Sequence, residues 1–311
     1  MVFVPAYVMV GQYFDKHRGK AMALSTMGSG VGNIFFAALI PLLFNTYSFS
    51  GLFFILGALQ LNHLVSGSVY RPPKQSPVPA ATDEEFHDVS LTEKEGVDSK
   101  SESYEESSEP SVCVQTLKHV VGLLSNITFC SYAFVIVSMQ FCLVVFLIFL
   151  PKLALEVGAR ESNLWYTLVI FGVFDIVGRL AAGFIFDLKP FRQNRSRIFC
   201  FVSLMFGVFV VCYVIAQSFV IVCLLTALVA IFEGAVHSQR TTVITEFVYK
   251  EQVPLAVGFV IFCQGIGNLT GPGIAGLLTD NFGTSRYGFA VGGLLLVISS
   301  VLFFVARVTR K

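Results

Sequence analysis

Long stretches without a single charged residue are the feature that most limits what this sequence can fold into. Five of them contain no Asp, Glu, Lys or Arg over at least 20 residues: 21–44, 49–70, 120–151, 253–279 and 287–306. About 20 apolar residues in a helix cross the hydrocarbon core of a bilayer. Charged residues make up only 13% of the chain, against about 25% in soluble domains. The sequence therefore predicts a membrane protein with several helical crossings.

A further uncharged stretch, residues 198–232, is 35 residues long. As one helix it would measure about 52 Å at 1.5 Å per residue, which is too long for one crossing of a core about 30 Å thick. A polar Gln-Ser pair interrupts it at 217–218, so we predict two spans, 198–216 and 219–239. With a span at 162–186, the chain is predicted to be an all-α polytopic membrane protein with eight crossings.

The basic residues orient these spans. If the chain starts in the cytoplasm, 17 of its 21 Lys and Arg residues lie in cytoplasmic segments and three lie in outside loops. Arg240, just beyond the predicted 219–239 span, is counted among the cytoplasmic residues. Membrane proteins carry an excess of Lys and Arg in cytoplasmic loops. We therefore predict that both termini are cytoplasmic.

Residues 71–117 have the opposite composition. They contain eleven acidic residues, eight serines and five prolines. Such a segment buries too little apolar surface to offset the entropy lost on folding. We predict a disordered, acidic, cytoplasmic linker that separates two spans from six.

Two charged residues stand inside the span 162–186, in the stretch GVFDIVGRLAAGFIFD. Asp175 and Arg179 are four residues apart and so share one helix face. A charge near the bilayer centre costs about 2.5–3.5 kcal/mol on insertion scales, and such residues usually mark an ion or substrate path. The fork of Arg179 suits a carboxylate, and Asp175 is a candidate proton carrier. The alternative is an ion pair that only fixes packing.

Glu233 and His237 form a second pair with the same spacing, and we predict that they line the pathway. His237 at the level of the lipid headgroups is the alternative. The spans show no nucleophile–base or metal-ligand constellation, so we predict no enzyme activity, no metal and no cofactor. The basic residues are spread over short loops, which does not favour nucleic-acid binding.

Three stretches resemble the monocarboxylate transporter family of the major facilitator superfamily. The first, VPAYVMVGQYFDKHRGKAMALSTMGSGVG at 4–32, is similar to the motif before the family's fifth helix. The second, FDIVGRLAAGFIFD, is similar to the eighth helix, with Asp175 and Arg179 in matching positions. The third, GNLTGPGIAGLLTD at 267–280, is similar to the eleventh. The structural residues of the first and third stretches are Tyr13, Phe14, Lys16, Arg18, Gly28, Gly32, Gly267, Gly271 and Pro272.

The resemblance implies a partial major facilitator fold. The family has twelve helices in two six-helix halves, and the matched motifs place the end of helix 4 through helix 12 in this chain. The first three and a half helices are then expected to be absent. Residues 1–70 would be the remainder of the N-terminal bundle, 118–306 the C-terminal six-helix bundle and 307–311 a cytoplasmic tail. Glycines four apart, as at Gly267 and Gly271, let helices approach closely.

The resemblance also implies a function. The expected activity is proton-coupled transport of small monocarboxylates, such as lactate or pyruvate, by alternating access at the plasma membrane. Arg179 would bind the carboxylate and Asp175 would couple the proton. Some members of the family work with a single-span immunoglobulin-like glycoprotein. Two alternatives stay open: a carrier of aromatic amino acids, thyroid hormone or creatine-like substrates without proton coupling, or a truncated isoform that acts as a non-transporting partner.

Overall fold

The computed structural model describes residues 10, 13–14, 18–68, 120–192, 194–248 and 252–309, with only the backbone given for Arg18, Lys189 and Arg192. The predicted linker 71–117 and Lys16 lie outside the described residues. Within the described part of the chain the regular structure is helical, as predicted. The longer helices are α1 (Arg18–Thr26), α2 (Gly28–Ser68), α3 (Ile127–Glu156), α4 (Leu164–Asp187), α5 (Arg195–Val211), α6 (Phe219–Ile244), α7 (Val253–Phe282) and α8 (Arg286–Val308).

Seven segments of the described chain are long and apolar enough to cross a membrane, rather than the eight predicted. The difference lies at the start, where the predicted spans 21–44 and 49–70 form one run of 50 residues, Gly19–Ser68. At 1.5 Å per residue this run would be about 75 Å long if straight, more than twice the thickness of a hydrocarbon core. Its backbone leaves the helical conformation at Ser48, with φ 59° and ψ −175°. The break stands at the boundary that the sequence predicted between the two spans.

Local signals explain several helix ends. Asn126 precedes α3, and its side-chain oxygen accepts a hydrogen bond from the amide of Thr128 at 3.1 Å, as a helix N-cap does. Gly283 ends α7 in the left-handed conformation, with φ 72°, which glycine adopts without steric cost. Pro272 lies inside α7 without ending it.

The last six helices pack around one apolar core rich in aromatic rings. Phe146 contacts the rings of Phe171, Tyr213 and Phe289 with centroids 5.5–6.2 Å apart. The hydroxyl of Tyr213 lies 2.8 Å from that of Thr226, so the buried phenol has a partner. Buried apolar residues of α5, α6 and α7 belong to the same core, which therefore fixes α3 to α8 relative to one another.

Glycines set the closest approaches between these helices. A Cβ on Gly267 would lie 2.5 Å from the carbonyl oxygen of Val137, and one on Gly271 would lie 3.2 Å from that of Phe141. Both glycines therefore let α7 pack directly on the backbone of α3. Gly207 and Gly293 do the same for α5 and α8, where a Cβ on either glycine would lie 2.9 or 2.8 Å from the carbonyl oxygen of the other.

Candidate functional site

Two glycines bring α4 and α6 into backbone contact at the site. A Cβ on Gly178 would collide with the carbonyl of Ile231, and one on Gly234 would collide with the carbonyl of Asp175. A Cβ on Gly234 would also lie 2.7 Å from Oδ1 of Asp175. Side chains on the facing sides of the two helices are therefore forced together, and the charged residues of both spans lie at this contact.

Arg179 is the centre of a buried cluster. Its Nε donates to Oδ1 of Asp175 at 2.7 Å, and its Nη2 lies 3.7 Å from Oε2 of Glu233. Its Nη1 lies 3.0 Å from Nδ1 of His237. Asp175, Arg179 and Glu233 are at most 3% exposed, and His237 is half-buried. The structure thus brings all four charged or titratable residues that the sequence proposed for the pathway into one cluster.

The contact with Arg179 assigns the tautomer of His237. A guanidinium donates hydrogen bonds and does not accept them, so Nδ1 must be the acceptor. The imidazole is then neutral, with its proton on Nε2. His237 therefore belongs to the hydrogen-bonded network around Arg179.

The two carboxylates of the cluster are incompletely satisfied. Oδ2 of Asp175 and Oε2 of Glu233 are buried and accept no hydrogen bond within the described part of the chain. A Cβ on Gly30 of α2 would lie 2.9 Å from Oδ2 of Asp175, so α2 covers this carboxylate closely. A proton placed on either acid would supply the missing donor.

A second buried cation lies one turn beyond His237. Arg240 is 1% exposed, and its Nη1 donates to Oε1 of Gln264 on α7 at 2.6 Å. Its backbone carbonyl accepts a hydrogen bond from the hydroxyl of Tyr132 on α3 at 2.5 Å. The sequence predicted that the span ends at residue 239, just before Arg240, whereas α6 continues to Ile244 and packs this residue in the protein interior. The spacing of residues 233, 237 and 240 puts them on one helix face. That spacing was a sequence signal for an interior position of Arg240.

A carboxylate at the end of α4 ties the bundle to α1. Asp187 accepts hydrogen bonds from the amides of Gly19 and Lys20, at 3.2 and 3.0 Å. These amides belong to the first turn of α1, whose positive end favours an anion. Arg195 Nη2 lies 3.2 Å from the same Asp187 oxygen that Gly19 contacts and fixes the carboxylate from the other side.

Glu246, just beyond the end of α6, performs a similar role for the first turn of α5. Its carboxylate accepts from the amides of Arg195 and Ser196, at 3.1 and 3.2 Å, and from the Ser196 hydroxyl. Arg307 of α8 lies 3.5 Å from Oε2 of Glu246. The ends of α1, α4, α5 and α8 are thus linked by two capping carboxylates, which the sequence had not pointed to.

The structural residues of the first motif stretch are less closely packed than the charged cluster. Tyr13 and Phe14 are both at least half exposed, and Arg18 begins α1. A Cβ on Gly28 or Gly32 would meet no described atom within 4 Å. The close approach in this stretch is instead at Gly30, whose Cβ would lie 3.1 Å from the carbonyl oxygen of Gly172 on α4.

Comparison with known proteins fits this architecture. A family model of the Major Facilitator Superfamily matches residues 1–205 and 146–311. The chain is 27% identical over 313 residues to monocarboxylate transporter 12 of Rattus norvegicus, covering 100% of this chain and 64% of that protein. It is 28% identical over 314 residues to monocarboxylate transporter 12 of Homo sapiens, covering 100% of this chain and 60% of that protein.

A more distant relative is monocarboxylate transporter 1 of Homo sapiens, which is 26% identical over 312 residues and is matched over 97% of this chain and 62% of its own length. The chain therefore spans less than two thirds of these relatives. The family match extends over the whole chain, and the helices that it covers carry the buried cluster around Arg179. This multi-pass membrane chain belongs to the major facilitator superfamily.

Proposed function

We propose that the protein transports small monocarboxylates, of the lactate or pyruvate kind, together with a proton by alternating access. The observation that carries the proposal is the buried contact of Arg179 with Asp175 and Glu233. It lies where α2, which precedes the linker, meets α4, which follows the linker and packs on α6. A pathway between two bundles that rock against each other needs its binding groups at such a boundary.

Charge balance supports coupling to a proton. Among the described residues at the site, the charges of two acids, Asp175 and Glu233, balance those of two arginines, Arg179 and Arg240, when all four are ionised. A monocarboxylate that enters alone adds an uncompensated negative charge, which is costly in a buried site. A proton on Asp175 or Glu233 restores neutrality and frees a donor of Arg179 for the substrate carboxylate. We therefore propose that proton uptake and binding of the substrate carboxylate occur together in one step.

The contact of Asp187 with α1 supports an alternating-access cycle. It joins the ends of α1 and α4 through two backbone hydrogen bonds. Separating these ends would open a path to the buried cluster from that side, which is the cytoplasmic side in the orientation that the basic residues favour. The plasma membrane location is part of the same proposal.

The test is uptake of radiolabelled lactate by the full-length protein and its Arg179→Leu and Arg179→Lys variants, with surface expression measured in parallel. We expect Arg179→Leu to abolish uptake, because no bidentate donor remains for the carboxylate. Arg179→Lys keeps the charge and should retain a small part of the activity. Normal lactate uptake by Arg179→Leu would contradict the assignment.

A second candidate is a zwitterionic substrate carried without a proton. The observation that favours it is Glu233, a second buried carboxylate that offers an acceptor to a cationic group beside Arg179. A zwitterion adds no net charge to a neutral site, so it needs no proton for balance. Uptake of amino-acid-like and creatine-like substrates that does not change with the pH gradient, together with no lactate uptake, would favour this candidate.

A further inference from the structure

We propose that Gln140 of α3 accepts a hydrogen bond from the hydroxyl group of a 2-hydroxy monocarboxylate and so favours such acids over acids without a hydroxyl group. The inference rests on the proposed transport of monocarboxylates and adds a residue that selects the substrate.

Gln140 is a polar residue in the interior of a membrane-spanning helix. It lies near the middle of α3 and is 6% exposed. Helix α7 covers it, because a Cβ on Gly267 would lie 3.0 Å from the Cβ of Gln140. Protein rather than lipid therefore surrounds this side chain.

The amide oxygen of Gln140 lacks a donor. Oε1 is buried and accepts no hydrogen bond within the part of the chain that the structure describes. An unpaired buried acceptor costs free energy that an apolar side chain would not, and polar residues inside spans usually mark an ion or substrate path. Ser138, on the same helix, instead donates its hydroxyl to the carbonyl oxygen of Phe134 at 2.8 Å. Of these two polar side chains, Gln140 is the one that a bound molecule would complete.

Loop contacts show how the helices run. Glu156, the last residue of α3, accepts from the amide of Ser285 at 3.0 Å. The next residue, Arg286, donates to the carbonyl oxygens of Val214 and Ala216, both at 2.9 Å, just before α6 begins. The end of α3 and the start of α6 therefore lie on the same side, so the two helices run in opposite directions.

This arrangement puts Gln140 at the level of the charged cluster. The hydroxyl of Tyr132 on α3 contacts the carbonyl oxygen of Arg240 on α6. Gln140 lies eight residues after Tyr132, and Glu233 lies seven residues before Arg240, which corresponds to about 12 and 10 Å along the two helices. Because the helices run in opposite directions, Gln140 and Glu233 lie at nearly the same depth, and Glu233 contacts Arg179.

The chemistry of Oε1 identifies the group that it takes. An amide oxygen only accepts hydrogen bonds, so it needs a donor. A carboxylate bound by Arg179 supplies none, whereas the hydroxyl on the neighbouring carbon of lactate does. A site that pairs with a substrate hydroxyl rejects the analogue that lacks it, because its own buried group is left unpaired.

The experiment compares uptake of lactate with uptake of propionate, which is lactate without its hydroxyl group, by the full-length protein. In the wild type the half-saturation concentration should be about threefold to tenfold lower for lactate, as for one hydrogen bond between neutral groups. Gln140→Met keeps an unbranched chain of similar length without the amide, so the two values should then agree within about twofold. Equal values in the wild type, or an unchanged ratio in Gln140→Met, would overturn the inference.

Ser138→Ala is the matched control, since it also removes a buried polar group from α3. The hydroxyl of Ser138 is bonded within its own helix, so the ratio of the two half-saturation concentrations should keep its wild-type value. Loss of the lactate preference in Ser138→Ala as in Gln140→Met would overturn the assignment to Gln140.

The melting temperature separates substrate selection from packing. Because Oε1 has no donor within the described residues, Gln140→Met should lower the melting temperature of the full-length protein by no more than about 1–2 °C, or raise it. A large fall, with equal loss of lactate and propionate uptake, would show that Gln140 only supports the fold and would overturn the inference. If Gln140→Met fails to reach the membrane, the wild-type comparison of the two acids decides.

The same measurements separate this inference from the proposed function. Uptake of both acids with equal half-saturation concentrations would leave the proposed function standing and overturn only the role of Gln140. Uptake of neither acid by the wild type would overturn the proposed function, and this inference with it.

Discussion

Nδ1 of His237 accepts a hydrogen bond from Nη1 of Arg179 at 3.0 Å, which makes the histidine a neutral support for the arginine. Leucine at this position would leave a buried charged donor without its acceptor, at a cost of about 1–3 kcal/mol. We expect lactate uptake by His237→Leu to fall about tenfold or more at equal surface expression.

Asparagine is the matched control for His237. Its side-chain oxygen can stand near the position of Nδ1 and accept from Arg179. His237→Asn should therefore keep most of the uptake. If His237→Asn and His237→Leu lose lactate uptake equally, the site does not require a hydrogen-bond acceptor for Arg179 at this position.

The contact between α4 and α6 predicts a large effect of one methyl group. A Cβ on Gly234 would collide with the carbonyl of Asp175, whereas one on Gly265 of α7 would meet no described atom within 4 Å. Overpacking costs about 1–3 kcal/mol or more when backbone blocks the space. We expect Gly234→Ala to lower the melting temperature in detergent by several degrees and Gly265→Ala to leave it nearly unchanged. The reverse order would contradict the described packing.

The hydrogen bonds from Gly19 and Lys20 to Asp187 predict a change in accessibility. Asp187→Ala removes the acceptor for both amides and should shift the protein towards states in which α1 and α4 are apart. A cysteine at Thr26, a buried position at the end of α1, then reports the opening. In a cysteine-free background, labelling of Thr26→Cys by a polar maleimide should become several-fold faster with Asp187→Ala. An unchanged labelling rate would show that this contact does not hold the helices together.

The sequence predicted the charged pair well because the interaction is local. Asp175 and Arg179 are four residues apart on one helix, and the helical period alone places them on one face. The sequence also assigned Glu233 and His237 to the pathway, because charged or titratable residues inside a span usually mark an ion or substrate path.

The helical spacing puts Arg240 on the face of Glu233 and His237, but it does not show which side chains bury it. Arg240 lies in the polar run Ser238–Thr242, which resembles a loop flank, yet contacts with Tyr132 and Gln264 bury it. The contact of Asp187 with Gly19 joins residues 168 positions apart. Neither contact has a local sequence signal, because each depends on how whole helices pack. Hydropathy predicted where the first two spans separate, but it could not predict the non-helical backbone conformation of Ser48.

Proton movement accompanying lactate tests the central claim most directly. With the full-length protein in a cell or vesicle at equal pH on both sides, added lactate should acidify the interior by one proton for each lactate taken up. Asp175→Asn, which cannot exchange a proton, should abolish concentrative uptake driven by a pH gradient. The account is contradicted if lactate accumulates in the wild type without acidification, or if Asp175→Asn and Glu233→Gln, singly and together, leave the proton-driven accumulation unchanged.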